Sequence, residues 1–141
     1  MIKPEDLRIG DLVRVCGGYS FLKGTVCIVT QIDLEHTYDG KKGFVILRYA
    51  DGIEDEQWLV WCNDIEGVPL TPEILEKNGW FLSPRIFHTY FNEACRLVVD
   101  FVPQSEWICV SIGSEFLHRI KYVHELQHIL WALGLDAELK I

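Results

Sequence analysis

The sequence predicts an α+β protein: a small N-terminal β-barrel or strongly bent sheet over residues 1–69, packed against a C-terminal α-β-β-(β)-α unit over residues 70–141. Three observations carry this. Short alternating or β-branched runs punctuated by Gly-containing turns fill the first half. A self-capped helix start opens the second, and a final helical stretch stops at Gly134. With 49% hydrophobic residues and 12% aromatics spread over 141 positions, the chain can fill a packed interior, which argues against wholesale disorder.

In the first half, Leu12-Val13-Arg14-Val15-Cys16 alternates until Gly17-Gly18 breaks it. Residues 25–34 are rich in β-branched side chains (Val26, Ile28, Val29, Thr30, Ile32), Asp39-Gly40 marks a turn, and residues 44–49 supply a further strand. Asp51-Gly52 marks another turn and residues 56–61 another strand. The opening Asp6-Leu7-Arg8-Ile9-Gly10-Asp11-Leu12-Val13-Arg14-Val15 resembles the first strand and its approach in SH3-like barrels, where a Gly-Asp corner leads into an alternating strand. That resemblance implies an SH3-like architecture and no activity.

In the second half, Thr71 suits a cap, Pro72 the first helical position, and Leu70 and Leu75 a hydrophobic staple, while Asn78-Gly79 provides the stop. Residues 86–92, 95–102 and 106–112 read as two or three antiparallel strands, ended by Pro103 and Gly113. The last helix is expected to begin between Ser114 and Tyr122. The seam at Gly67-Val68-Pro69 is short, so the two halves are expected to form one compact body.

Bulk properties exclude several function classes. No apolar run approaches the ~20 residues of a membrane span, and the N-terminus has no apolar stretch of the kind a signal peptide needs. The five cysteines (Cys16, Cys27, Cys62, Cys95, Cys109) are odd in number, far apart and without a C-x-x-C pair, as expected of reduced thiols in a cytoplasm. The net charge of −8 is shared: residues 1–69 carry 7 basic and 12 acidic side chains, and residues 70–141 carry 6 and 9. Lys41-Lys42 is the one basic cluster, so nucleic acid is a disfavoured partner. The acidic run Asp51, Glu54, Asp55 and Glu56 misses the calcium-loop spacing and reads as a solvated hairpin. The scattered Trp residues are expected in the core.

One motif has the form of chemistry. His124-Glu125-Leu126-Gln127-His128 fits H-E-x-x-H: two imidazoles four apart share a helix face and can bind one zinc, and Glu125 can activate a bound water. The extended motif fails, because Trp131 stands where Gly is required and Gly134 where the third His is required. At ~100° per residue, Tyr122, Leu126, Ile129, Leu130 and Leu133 share an apolar side, leaving His124, His128 and Trp131 on an outward face. The bland reading of that face is a solvent- or partner-facing stripe without metal.

The segments Ile65-Glu66-Gly67-Val68-Pro69-Leu70-Thr71-Pro72-Glu73-Ile74-Leu75-Glu76-Lys77-Asn78-Gly79-Trp80 and Ile120-Lys121-Tyr122-Val123-His124-Glu125-Leu126-Gln127-His128 stand out together. They resemble stretches of a family of small proteins found among prophage and mobile-element genes of gut anaerobes. The resemblance implies no reaction and no catalytic residues. In that family Gln often matches Glu125 and Asn often matches His128, which implies an accidental zinc match. The expectation is therefore a non-enzymatic, phage-associated interaction module without a cofactor. It would bind a protein partner through a barrel groove or the His124/His128/Trp131 face. The alternatives are a zinc hydrolase with His124 and His128 as ligands and Glu125 as base, and a nucleic-acid-binding barrel.

Overall fold

The structure, a computed structural model, describes residues 2–52 and 55–141; Met1 and, within the acidic run, Glu54 lie outside them. The chain is α+β, mostly sheet with two α-helices among the described residues, and divides into two compact units, residues 1–68 and 69–141.

The first unit is an antiparallel sheet of β1 (Leu12–Val15), β2 (Val26–Tyr38), β3 (Lys41–Tyr49), β4 (Gln57–Trp61) and β5 (Ile65–Gly67), in the order β4-β3-β2-β1-β5. The ladder is open, with β4 and β5 at its edges, so the pairing does not close the barrel that the turn-rich sequence suggests. Both residues of the Asp39-Gly40 turn have positive φ (50° and 75°), the two-residue hairpin geometry whose twist matches the flanking strands. At the Gly-Asp corner, Gly10 has φ 98°, and the buried Asp11 carboxylate accepts the Arg8 backbone N–H at 2.8 Å. Period-2 alternation directs Val13, Val15, Cys27, Val29, Val45, Leu47 and Val60 into one core with Leu22, Cys62 and Ile65. The short β5 escapes the sequence reading because Ile65-Glu66-Gly67 offers three residues and no visible alternation.

The second unit opens with α1 (Pro72–Lys77). As its sequence predicts, the Thr71 hydroxyl accepts the Ile74 N–H at 3.4 Å, and Gly79 (φ 82°) follows the helix end. An antiparallel meander follows: β6 (Phe81–Leu82), β7 (Thr89–Phe91), β8 (Leu97–Phe101), β9 (Ile108–Ile112) and β10 (Glu115–Ile120), in chain order. Five strands thus replace the two or three expected. β10 was hidden because Phe116 and Leu117 stand side by side and a bulge between Phe116 and His118 breaks the alternation. As an edge strand it is also exposed from Glu115 through Arg119, leaving no buried face to pattern.

α2 (Val123–Ala132) completes the unit. Residues 135–141 carry no regular structure, yet they lie along both helices. Gln127 Nε2 donates to the Ala137 carbonyl at 3.0 Å, and Asn78 exchanges two hydrogen bonds with the Lys140 backbone at 2.8 Å. The Lys77 ammonium donates to the Ile141 carbonyl, also at 2.8 Å.

Burial pushes the Cys27 thiol up to about 11 and raises Cys62 and Cys16. An unfolded thiol ionises near 9, so the unfolded state loses its proton first as pH rises. The contribution of these thiols to stability is predicted to be constant well below pH 9 and to be lost as pH climbs through 9 to 11. The slope is at most ~1.4 kcal/mol per pH unit for each such thiol. Urea titrations across that range, compared with Cys27→Ala, measure it; an unchanged slope in Cys27→Ala would contradict the assignment to Cys27.

Candidate functional site

The zinc-like motif lies at the start of α2, where backbone N–H groups have no intrahelical acceptor. Glu125 supplies one. Its Oε2 accepts from Lys121 N at 2.7 Å and from Tyr122 N at 2.9 Å, so the side chain caps the helix it belongs to. A general base needs that carboxylate on a bound water. Here one oxygen is already held by two backbone donors.

The imidazoles also depart from the expected outward stripe. His124 is only 4% exposed; its ring stacks on Tyr122 (centroids 5.7 Å, 14° between planes) and meets the edge of His128 at 5.7 Å. The buried side of α2 comprises Val123, His124, Leu126, Gln127 and Leu130, rotated roughly a quarter-turn from the apolar side read at ~100° per residue. The Gln127–Ala137 bond accounts for much of this, since the C-terminal segment covers a polar position that the sequence places outside. Of the expected partner face, Trp131 is 65% exposed, His128 is half-buried and His124 is in the interior. Among the described residues no three His, Cys, Asp or Glu side chains come together as metal ligands.

The first unit carries a different constellation. Beyond β1 the Cys16 and Gly17 N–H groups donate to the Asp64 carbonyl at 2.8 and 3.2 Å, and the chain then enters a 3-10 turn over Ser20–Leu22. Leu22 is fully buried and anchors this turn, while Tyr19 and Phe21 on either side are 42% and 58% exposed. Strand register supplies the other half. The rung Val13–Cys27–Tyr49 and the rung Val29–Leu47–Trp58 place Tyr49 and Trp58 on the core face, where both are half-buried against the cluster below.

The four rings meet. Phe21 packs edge-on against Trp58 at 4.9 Å, Tyr19 lies 5.5 Å from Phe21 and 6.1 Å from Trp58, and Tyr49 lies 6.4 Å from Trp58. Gly52 lies so close to Tyr49 that an added Cβ would sit 2.5 Å from the tyrosine Cβ, so the turn after β3 is folded onto that ring. The Trp58 indole N–H is buried and has no acceptor among the described residues. Leaving such a donor unpaired costs on the order of 1–3 kcal/mol.

This platform offers two exposed aromatic faces beside a buried indole donor that has no acceptor among the described residues. The sequence places the Trp residues, Trp58 among them, in the core and by itself singles out neither Tyr19 nor Phe21. The available signal was that Tyr19 and Phe21 follow Gly17-Gly18, between strands rather than within one. A second aromatic group, His36, Tyr38, Phe44 and Trp61, adjoins the Lys41-Lys42 hairpin, but Lys41 is paired with Asp64 at 3.1 Å. No helix among the described residues is long and apolar enough to cross a membrane. Comparison with protein-family models, with curated proteins and with solved structures found no match.

The cap role predicts that Glu125→Ala lowers stability by ~1 kcal/mol, read by urea denaturation. Adding zinc to metal-free protein is expected to leave Tm unchanged. A zinc-dependent rise in Tm that Glu125→Gln preserves and His124→Ala abolishes would restore the metal site.

Proposed function

We propose that this chain is a non-enzymatic interaction module that binds a segment of a protein partner across Tyr19, Phe21 and the edge of Trp58. The observation that carries the reading is the fixed exposure of two large aromatic rings, at 42% and 58%, on a half-buried tryptophan. Aromatic side chains held in place bind with little further loss of conformational freedom, and they dominate interface energetics. The capping role of Glu125 weighs against the hydrolase alternative. The balance of 7 basic and 12 acidic side chains over residues 1–69 weighs against nucleic acid.

The finer architecture belongs to the same proposal. The order β5-β1-β2-β3-β4, with a 3-10 turn at Cys62–Asp64 bringing the fifth strand back beside the first, supports an SH3-like winding of the first unit. In that winding the platform takes the place of the barrel groove. A cytoplasmic, prophage-associated setting accompanies this reading through the family resemblance of residues 65–80 and 120–128.

The test compares partner capture by the native chain with capture by the double variant Tyr19→Ala/Phe21→Ala. Loss of at least ~2 kcal/mol of binding, about 30-fold in Kd, is expected. Both side chains are exposed, so the urea midpoint should barely move. Undiminished binding by a folded double variant would remove the platform from the account, and loss in Trp131→Ala would move the interface to α2.

A further inference from the structure

Resting on the platform reading, we infer that the partner segment is basic, and that an arginine of that segment stacks on the Tyr19/Phe21 rings while the carboxylates of the β3–β4 hairpin pair with it. The hairpin leaves the platform at Tyr49 and returns to it at Trp58, so its charges lie at the platform's margin. Asp51, Asp55 and Glu56 are exposed there, and among the described residues no lysine or arginine pairs with them. Residues 50–56 contain no basic residue.

Register sharpens the placement. The last rung of the β3–β4 ladder is Arg48–Gln57, and Tyr49 and Glu56 are the next residues of the chain on either side of it. Strand alternation puts Tyr49 and Trp58 on one side of the sheet and Arg48 on the other. Lys23, which follows Leu22 in the chain, is exposed, and the three exposed carboxylates outnumber it. The fold of Gly52 onto the Tyr49 ring fixes the near end of the hairpin and with it the position of Asp51.

Ring geometry selects among cations. Centroid separations of 4.9 to 6.1 Å among Tyr19, Phe21 and Trp58 mean that the rings touch one another, leaving no box to enclose a compact ammonium. A planar guanidinium needs no box. It lies flat on an exposed ring and still offers its in-plane N–H groups to carboxylates beside it. The acidic margin also gives a basic segment a faster encounter than a neutral one.

The experiment is selection of a displayed library of random 12-residue peptides on the native chain, repeated on Tyr19→Ala/Phe21→Ala and on Asp55→Lys/Glu56→Lys. Enriched peptides are expected to carry arginine and to require Tyr19 and Phe21. They are also expected to lose about tenfold in affinity in the charge-reversed variant and again when salt is raised. Synthetic copies with arginine replaced by citrulline or lysine check the cation without altering the protein, and both should bind several-fold more weakly. Peptides that need Tyr19 and Phe21 but are neutral or acidic, or that tolerate citrulline, would overturn the basic-partner inference and leave the platform standing. Lysine copies of equal affinity would overturn the guanidinium stacking. Absence of any peptide that depends on Tyr19 and Phe21 would overturn the platform itself.

Discussion

The cross-strand register of β2, β3 and β4 is the constraint on which the candidate site depends. Side chains alternate with a period of two, so a slip of one residue would send Tyr49 and Trp58 to the opposite face and Arg48 and Gln57 into the core. The Asp39-Gly40 turn sets the β2–β3 pairing at one end. Gly43 secures it further along: with φ 78° it lies where an added Cβ would meet Cys62 Sγ at 3.3 Å and the Asp33 carbonyl at 3.4 Å. At the other end the Ala50 N–H donates to the Val26 carbonyl at 3.3 Å, holding the strand exit where Tyr49 leaves the core. Register delivers two of the rings, and the buried Leu22 beneath the 3-10 turn delivers the other two.

The second unit shows the same economy with its polar side chains. Glu125, which a motif reading would make a catalytic base, closes the first turn of α2; Gln127, which a helix projection places outside, bonds to the returning C-terminal segment. Tyr90 donates from β7 to Glu76 of α1 at 3.0 Å, and its pKa is raised by burial first and by that carboxylate second. Chemically suggestive residues therefore serve as structural fasteners here.

Much of this architecture is legible in the sequence. The β-branched run of residues 25–34 becomes part of β2, and Thr71, Pro72 and Asn78-Gly79 mark α1 because cap and stop act through their immediate neighbours. What stays hidden is set by tertiary structure. β5 and β6 are too short to show a period, and β10 is bulged and exposed. The orientation of α2 depends on residues 135–141, whose path no local pattern announces. The platform joins positions 19, 21, 49 and 58, which adjoin only after the strands pair, so no spacing rule could assemble it.

The most direct measurement of the central claim is the environment of the Trp58 indole in isotope-labelled protein. The account predicts nuclear Overhauser contacts from that indole to the ring protons of Phe21 and Tyr19, and slow exchange of its N–H with solvent. It also predicts a displaced indole resonance in Phe21→Ala while the rest of the spectrum stays in place. An indole that exchanges quickly, shows no contact to either ring and ignores Phe21→Ala would mean that the platform is not assembled, and the docking surface would fall with it.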